Sequence, residues 1–277
     1  MNNTQPASLI LLGYGAMARG LHAALRERPT AARVAAVVVP ASALHDTQAE
    51  LSAMGAADIR VATELPAVLA PHTSMVVECA GHAALQIHAP HALQSGVDVL
   101  VASVGALANP TIEAELRRAA SAGGARVLIP SGALGGLDAL AAAALAGLDE
   151  VTCSSTKAPA AWRGTAAESM VDLAALTQAT TFFRGTAREA ALSFPQNANV
   201  AAALALAGVG FERTHIELRA DPAAQGNTHR VRAKGAFGHL DSTVQALTLA
   251  ANPKTSMLAP MSLLQAILKR SCVVGMS

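Results

Sequence analysis

Gly13-Tyr14-Gly15-Ala16-Met17-Ala18 places three small residues at the spacing GxGxxA near the start of the chain. In such a turn the first glycine permits a bend closed to other residues. The second lets the backbone approach a phosphate, and a small third residue lets the following helix pack closely on its strand. The helix start adds unpaired N–H groups and a partial positive charge. The combination suits the pyrophosphate of a dinucleotide, which makes Gly13, Gly15, Ala16 and Met17 candidate cofactor contacts. A second set of interest lies far downstream, in Asn227-Thr228-His229-Arg230-Val231-Arg232-Ala233-Lys234. Read as a strand, Asn227, His229, Val231 and Ala233 share one face and the basic residues share the other. His229 is then either a buried structural histidine or a group able to move a proton near neutral pH.

Dinucleotide-binding chains often carry an acid at the end of the second strand, where it bonds the ribose hydroxyls of NAD. Here that position reads Val38-Val39-Pro40, with no acid before Asp46 and no Arg just after Val39. The choice between NAD and NADP is therefore left open, and use of both is compatible with the residues. A later strand ends Glu78-Cys79-Ala80-Gly81-His82. One reading puts Cys79 and His82 near the nicotinamide ribose; the reading we prefer is a small-residue loop that lets the cofactor pass, with His82 at the surface.

Two further segments of the second half have residues suited to a ligand. Ser131-Gly132-Ala133-Leu134-Gly135-Gly136 offers small residues and a helix start, and serves equally as a turn between domains. In Phe194-Pro195-Gln196-Asn197-Ala198-Asn199-Val200, one of Asn197 and Asn199 is expected to cap the Ala-rich helix that follows. The alternative is that these amides meet the cofactor carboxamide.

The elements that must position these residues follow from hydropathy. Leu9–Leu12, Val34–Val39, Ser74–Cys79, Val97–Ala102 and Arg126–Ile129 are mostly continuous apolar runs. They alternate with helical stretches, beginning with Ala16–Arg28. Such runs are expected of parallel strands covered on both faces. Beyond Pro130 the character changes. A helix over Leu137–Leu145 precedes strands with polar alternation at Glu150–Lys157, Thr214–Ala220 and Thr228–Phe237, with a helix near Asn199–Ala207. That alternation suggests an antiparallel sheet with one covered face. Ser262–Arg270 has helical spacing and is expected to pack back on the first domain. The fold class is thus α/β, a Rossmann doubly wound parallel sheet with a second, smaller α+β domain. The expected division is 1–130 plus 252–277 for the dinucleotide and 131–251 for substrate binding and dimerisation.

The 277 residues carry a formal net charge of +1 and no block of Lys or Arg, which argues against nucleic acid or an anionic membrane as partner. The three cysteines, Cys79, Cys153 and Cys272, are scattered and odd in number, so neither a disulfide framework nor a metal site is expected. Met1–Ser8 lacks the pattern of a signal peptide, and every apolar window is interrupted well short of a membrane span. A cytoplasmic protein is expected.

Taken together, these motifs resemble the L-aspartate dehydrogenases. The residues that carry the resemblance are the GxGxxA turn, Glu78-Cys79-Ala80-Gly81-His82, Pro130-Ser131-Gly132-Ala133, Thr156-Lys157-Ala158-Pro159, the Phe194–Val200 string, Asn227-Thr228-His229 and Asn252-Pro253-Lys254-Thr255-Ser256. The resemblance implies oxidative deamination of L-aspartate to iminosuccinate with NAD or NADP as oxidant. Iminosuccinate then hydrolyses to oxaloacetate and ammonia or feeds NAD synthesis. It also implies that His229 is the catalytic residue and that Ala133 and Asn199 contact the cofactor. Two substrate carboxylates need anchoring, for which Lys157 and Arg163 are the candidates. Thr255 and Ser256 have hydroxyls to offer, and a homodimer paired through the second sheet is expected. An acylating aldehyde dehydrogenase would need a cysteine where this chain has Ser131-Gly132-Ala133. A homoserine- or dihydrodipicolinate-type reductase is kept open by Lys157. A non-catalytic NAD(P)-binding sensor would explain the glycine turn but not the Asn-Thr-His strand.

Overall fold

The computed structural model describes residues 6–29, 31–195, 198–249 and 252–270. The chain divides into two compact units. The first runs through Ser103, resumes for Asn109–Pro130 and takes the chain again from Pro260, while the second holds Val104–Ala108 and Ser131–Ala259. Relative to a division at 130 and 252, the segment 104–108 goes with the second unit and the chain returns at Pro260.

In the first unit β1 (Ala7–Leu12), α1 (Ala16–Arg26), β2 (Ala32–Val38), α2 (Ala41–Ala53) and β3 (Arg60–Ala62) are followed by β4 (Met75–Glu78), α3 (His82–Gln94), β5 (Val99–Val101), α4 (Pro110–Gly123) and β6 (Val127–Leu128). The strands form a six-stranded sheet in the order β3-β2-β1-β4-β5-β6, every pair parallel. Every residue of β4 and β5 is buried. Successive strand residues face opposite sides, so both faces of these strands are covered, which is why the runs are apolar up to the terminal Glu78 of β4. The strand order turns back between β1 and β4. Ligands of such sheets bind outside the carboxyl ends at that point, and Gly13 and Cys79 follow those two ends.

The opposite end of the same sheet is pinned by Asp98, which precedes β5. Its carboxylate accepts from the Arg126 backbone N–H at 2.8 Å and from the Arg126 guanidinium at 2.8 Å, and Arg270 lies 3.0 Å away. Burial opposes ionisation of Asp98, but the hydrogen bonds from Arg126 outweigh it and hold the carboxyl below its ordinary range. Arg270 follows α8 (Leu258–Leu268), whose Leu263, Leu264 and Ile267 are buried with Leu9, Leu11, Leu21 and Val37 in the core of this unit.

The second unit contains α5 (Leu137–Ala146), β7 (Leu148–Lys157), β8 (Thr180–Thr186), α6 (Ala187–Ser193), α7 (Ala198–Ala207), β9 (Thr214–Ala220), β10 (Asn227–Gly235) and β11 (Gly238–Ala246). A short pair, β12 (Thr248–Leu249) and β13 (Asn252–Ser256), follows. The five-stranded sheet has the order β11-β10-β7-β9-β8. It is mixed rather than antiparallel, because β7 and β9 run parallel at its centre. Parallel neighbours need a crossover, and β8, α6 and α7 supply it. Alternation reported the one covered face correctly, but it carries no information on strand direction. The hairpin strand β10 ends at Gly235, two residues short of the Phe237 expected, because the chain turns between Gly235 and its partner Gly238.

Candidate active site

The GxGxxA turn leaves β1 with the Gly13 N–H donating to the Val38 carbonyl at 2.7 Å. Gly13 has φ +82, and a Cβ there would lie 2.8 Å from Ala80 Cβ and 2.9 Å from Ala80 Cα. Both the backbone angle and the space therefore require glycine. Gly15 differs. Its φ of −84 suits any residue, and a Cβ would meet nothing within 4 Å. It borders open space at the N-terminus of α1, where no side chain caps the helix and no acid occupies the first turn. Ala16 and Met17 are half-buried beside it, and Ala18 is fully buried against the strand. An uncapped helix N-terminus with open space beside a glycine fits a dinucleotide pyrophosphate. Tyr14, by contrast, is buried with its hydroxyl 2.6 Å from His22 Nδ1. Burial raises the Tyr14 pKa and lowers that of His22, so the pair is neutral and structural.

At the end of β2, Val39 is buried and Pro40 leads into α2, whose first turn has neither a side-chain cap nor an acid. Nothing there selects or repels a ribose phosphate.

The loop after β4 is organised by a residue the sequence reading passed over. Glu78 is fully buried. Its Oε1 accepts from the Ala80 N–H at 2.7 Å, the Gly81 N–H at 2.8 Å and the Ser103 hydroxyl at 2.9 Å, and its Oε2 accepts from the Ser103 N–H at 2.9 Å. The available signal was an acid closing an otherwise apolar strand, Met75-Val76-Val77-Glu78. The Cys79 thiol is raised by burial and by the Glu78 charge, and burial pushes the Cys153 thiol up to about 12. Neither is a nucleophile at neutral pH, which removes the acylating reading. Cys272 lies outside the described residues.

In the second unit β10 places Asn227, His229, Val231 and Ala233 on the covered face and exposes Arg230, Arg232 and Lys234. His229 pairs in register with Ser155 of β7, and its Nδ1 lies 2.9 Å from Ser155 Oγ. That hydroxyl fixes the ring orientation and leaves Nε2 as the nitrogen for other work. Ser155 and Lys157 lie on the same buried face of β7. One end of this face is apolar, with Val151, Val231, Ala233 and Ile216. The other gathers Ser155, Lys157, Asn227 and His229, each no more than 5% exposed. Burial, with the Lys157 charge adding to it, brings the His229 pKa down to about 3, so the imidazole is neutral at physiological pH. The Lys157 ammonium stands 5.3 Å from the Trp162 ring centre. Arg163 is exposed in the loop beyond Trp162, beside a surface hollow lined by Glu168–Ala174. The structure thus groups Lys157 with His229 and puts Arg163 on that loop.

Ala133 is buried in the Ser131–Gly136 loop. The loop rests on β11, where a Cβ at Gly135 would lie 2.9 Å from Ser242 Oγ. Asn199 is the second residue of α7, and its Oδ1 accepts from the Gly105 N–H at 2.9 Å. Asn199 therefore ties the 104–108 segment to α7 instead of capping the helix. Gln196 and Asn197 lie outside the described residues. Ser256 Oγ accepts from the Leu258 N–H at the start of α8, a capping role. Among the described residues no helix is long and apolar enough to cross a membrane. None of their His, Cys, Asp and Glu side chains form a group of three or more placed to hold a metal ion.

A Rossmann-type sheet with a glycine turn at its switch point, followed by a mixed sheet, defines an NAD(P)-dependent oxidoreductase. Residues 13–130 match the family described as homoserine dehydrogenase, NAD binding domain, and residues 138–270 match aspartate dehydrogenase, C-terminal. The chain is 47% identical to an L-aspartate dehydrogenase of Ralstonia pickettii over 96% of its own length and 98% of that protein. It is 43% identical to one of Pseudomonas aeruginosa over 94% and 96%. The chain belongs to the L-aspartate dehydrogenase family. The crystal structure of an aspartate dehydrogenase from Thermotoga maritima, 23% identical, has the same fold at a TM-score of 0.74, covering 98% of this chain and 99% of that one.

Proposed function

We infer that the chain oxidises L-aspartate with NAD or NADP, removing hydride from Cα and giving iminosuccinate, which water converts to oxaloacetate and ammonia. The observation that carries this is the relationship over nearly the whole length to proteins named L-aspartate dehydrogenase. The homoserine-type alternative shares only the match over residues 13–130, while 138–270 match the aspartate dehydrogenase model. Bound nicotinamide supplies the hydride acceptor. Gly13, Gly15, Ala16 and Met17 would hold the pyrophosphate, and Ala133 and Asn199 are the cofactor contacts proposed from the second unit.

The substrate amine must lose a proton before its lone pair can assist hydride departure. His229, neutral and with Nδ1 committed to Ser155, is the residue we assign to take that proton at Nε2, directly or through one water. Lys157, on the same polar end of the sheet face, is assigned to a substrate carboxylate. Burial is the main cause of the low His229 pKa, and a carboxylate beside Lys157 would offset the smaller contribution of the Lys157 charge and so strengthen the base on binding. Arg163, on its exposed loop, is the weaker candidate for the second carboxylate.

Purified protein with L-aspartate is expected to reduce both cofactors, followed by absorbance of the reduced nicotinamide. The kcat/KM values for NAD and NADP should lie within roughly tenfold, about 1.4 kcal/mol, because no charge at the end of β2 discriminates them. D-aspartate, L-glutamate and L-homoserine should give no reduction. Cofactor binding without L-aspartate turnover would remove the assignment. We further propose a homodimer paired through the second-unit sheet, whose β10 exposes a polar face. Sedimentation equilibrium should return twice the 28.0 kDa chain mass, and a monomer at micromolar concentration would refute the proposal.

A further inference from the structure

We propose that Glu78 is a positioning residue for the dinucleotide, whose buried carboxylate locks the loop against which the phosphate-binding turn rests. The proposal depends on reading Gly13–Ala18 as the cofactor cradle. Two observations carry it.

The first is the hydrogen bonding. A carboxylate only accepts, and this one accepts four times from two loops: Ala80 and Gly81 after β4, and Ser103 after β5. Those loops follow the carboxyl ends of adjacent parallel strands. One buried side chain therefore joins the two strand ends on that side of the switch point. Charge-assisted bonds of this kind are the strong ones, and removing the acceptor leaves the two buried donors of Ser103 and the part-buried N–H groups of Ala80 and Gly81 without it.

The second is the packing. Ala80 sits so close to Gly13 that there is no room for a Cβ between them. A shift of Ala80 must move Gly13 or open a gap beside it. The bonds also set peptide orientation. A trans peptide is planar, with its N–H and C=O opposed. With the Ala80 and Gly81 N–H groups turned onto Glu78, the carbonyls of Cys79 and Ala80 are turned away from it. They become acceptors of fixed direction at the strand end, suited to ribose hydroxyls. Gly81, at φ +104, then turns the chain into α3.

Glu78→Gln keeps the size of the side chain but replaces one acceptor oxygen with a donor that must face an N–H. The dissociation constant of reduced dinucleotide, measured by calorimetry, is expected to rise at least roughly tenfold. The KM for L-aspartate at saturating cofactor should stay within about twofold. Asp98→Asn is the structural control. It loosens the other end of the same sheet, and it should lower the melting temperature without changing dinucleotide affinity. An unchanged dissociation constant in Glu78→Gln overturns the proposal, as does equal weakening in Asp98→Asn. If Glu78→Gln does not fold, Ser103→Ala removes one donor and keeps three. A rise of about threefold is then expected, and no rise overturns the proposal. A wild-type protein that binds neither NAD nor NADP would overturn the cradle reading itself, and the role of Glu78 with it.

Discussion

His229→Ala is expected to lower kcat/KM for L-aspartate by roughly 10²- to 10⁴-fold, the usual contribution of a positioned acid or base. The affinity for reduced dinucleotide should change by no more than about twofold, because His229 is not among the proposed cofactor contacts. The large effect follows from the setting of the imidazole. It is buried, oriented by Ser155 and kept neutral, so one ring nitrogen holds a lone pair throughout the physiological range, and with Nδ1–H donated to Ser155 that nitrogen is Nε2. A variant with wild-type kcat/KM would show that His229 is only a packing residue. The same setting has a consequence for stability. The folded pKa of about 3 lies below the ordinary histidine value of 6.5, so between these values the unfolded chain binds the extra proton. The stabilisation is complete above about pH 6.5 and is lost as the pH falls towards 3. By pH 5 the loss attributable to His229 is ~2 kcal/mol. His229→Gln should therefore show a smaller fall in denaturation midpoint between pH 7 and pH 5 than the wild type. Equal falls would mean that His229 titrates normally.

Gly15→Val is expected to raise the dinucleotide dissociation constant about 100-fold or more, a loss of about 2.7 kcal/mol, with little change in melting temperature. The φ of −84 at Gly15 lies on the side open to L residues, and a Cβ there meets no protein atom within 4 Å. The added side chain projects into the open space proposed for the pyrophosphate. Gly13→Ala should do the opposite and damage folding first, since φ +82 and the Ala80 backbone both exclude a Cβ. Calorimetry and thermal melting on the two variants separate these effects. Normal dinucleotide binding by Gly15→Val would remove the pyrophosphate from that position.

Much of this was legible in the residues because it depends on local order. A buried parallel strand must be apolar on both faces; β5 is so throughout, and β1, β2 and β4 depart from it only at Ser8, Arg33 and Glu78. A pyrophosphate turn must be small at fixed spacing, and Gly13, Gly15 and Ala18 are. Strict alternation in β10 is enough to put His229 on the face of its less polar neighbours, which is the covered one. What local order cannot carry is the partner across a long loop. Ser155 reaches His229 only because β7 and β10 pair antiparallel in one register, and a slip of one residue would turn the histidine to the exposed face. Asn199, one of two candidates for the helix cap, holds Gly105, and Glu78, which closes its strand as expected, also gathers Ser103. The parallel centre of the second sheet, β7 beside β9, was likewise invisible, since alternation is the same in both strand directions. The sequence by itself determined which residues are buried and which turn can take a phosphate, because hydropathy and steric size act over a few neighbours. The tertiary structure decided which buried polar groups meet, because each had to find its hydrogen-bond partner across the fold.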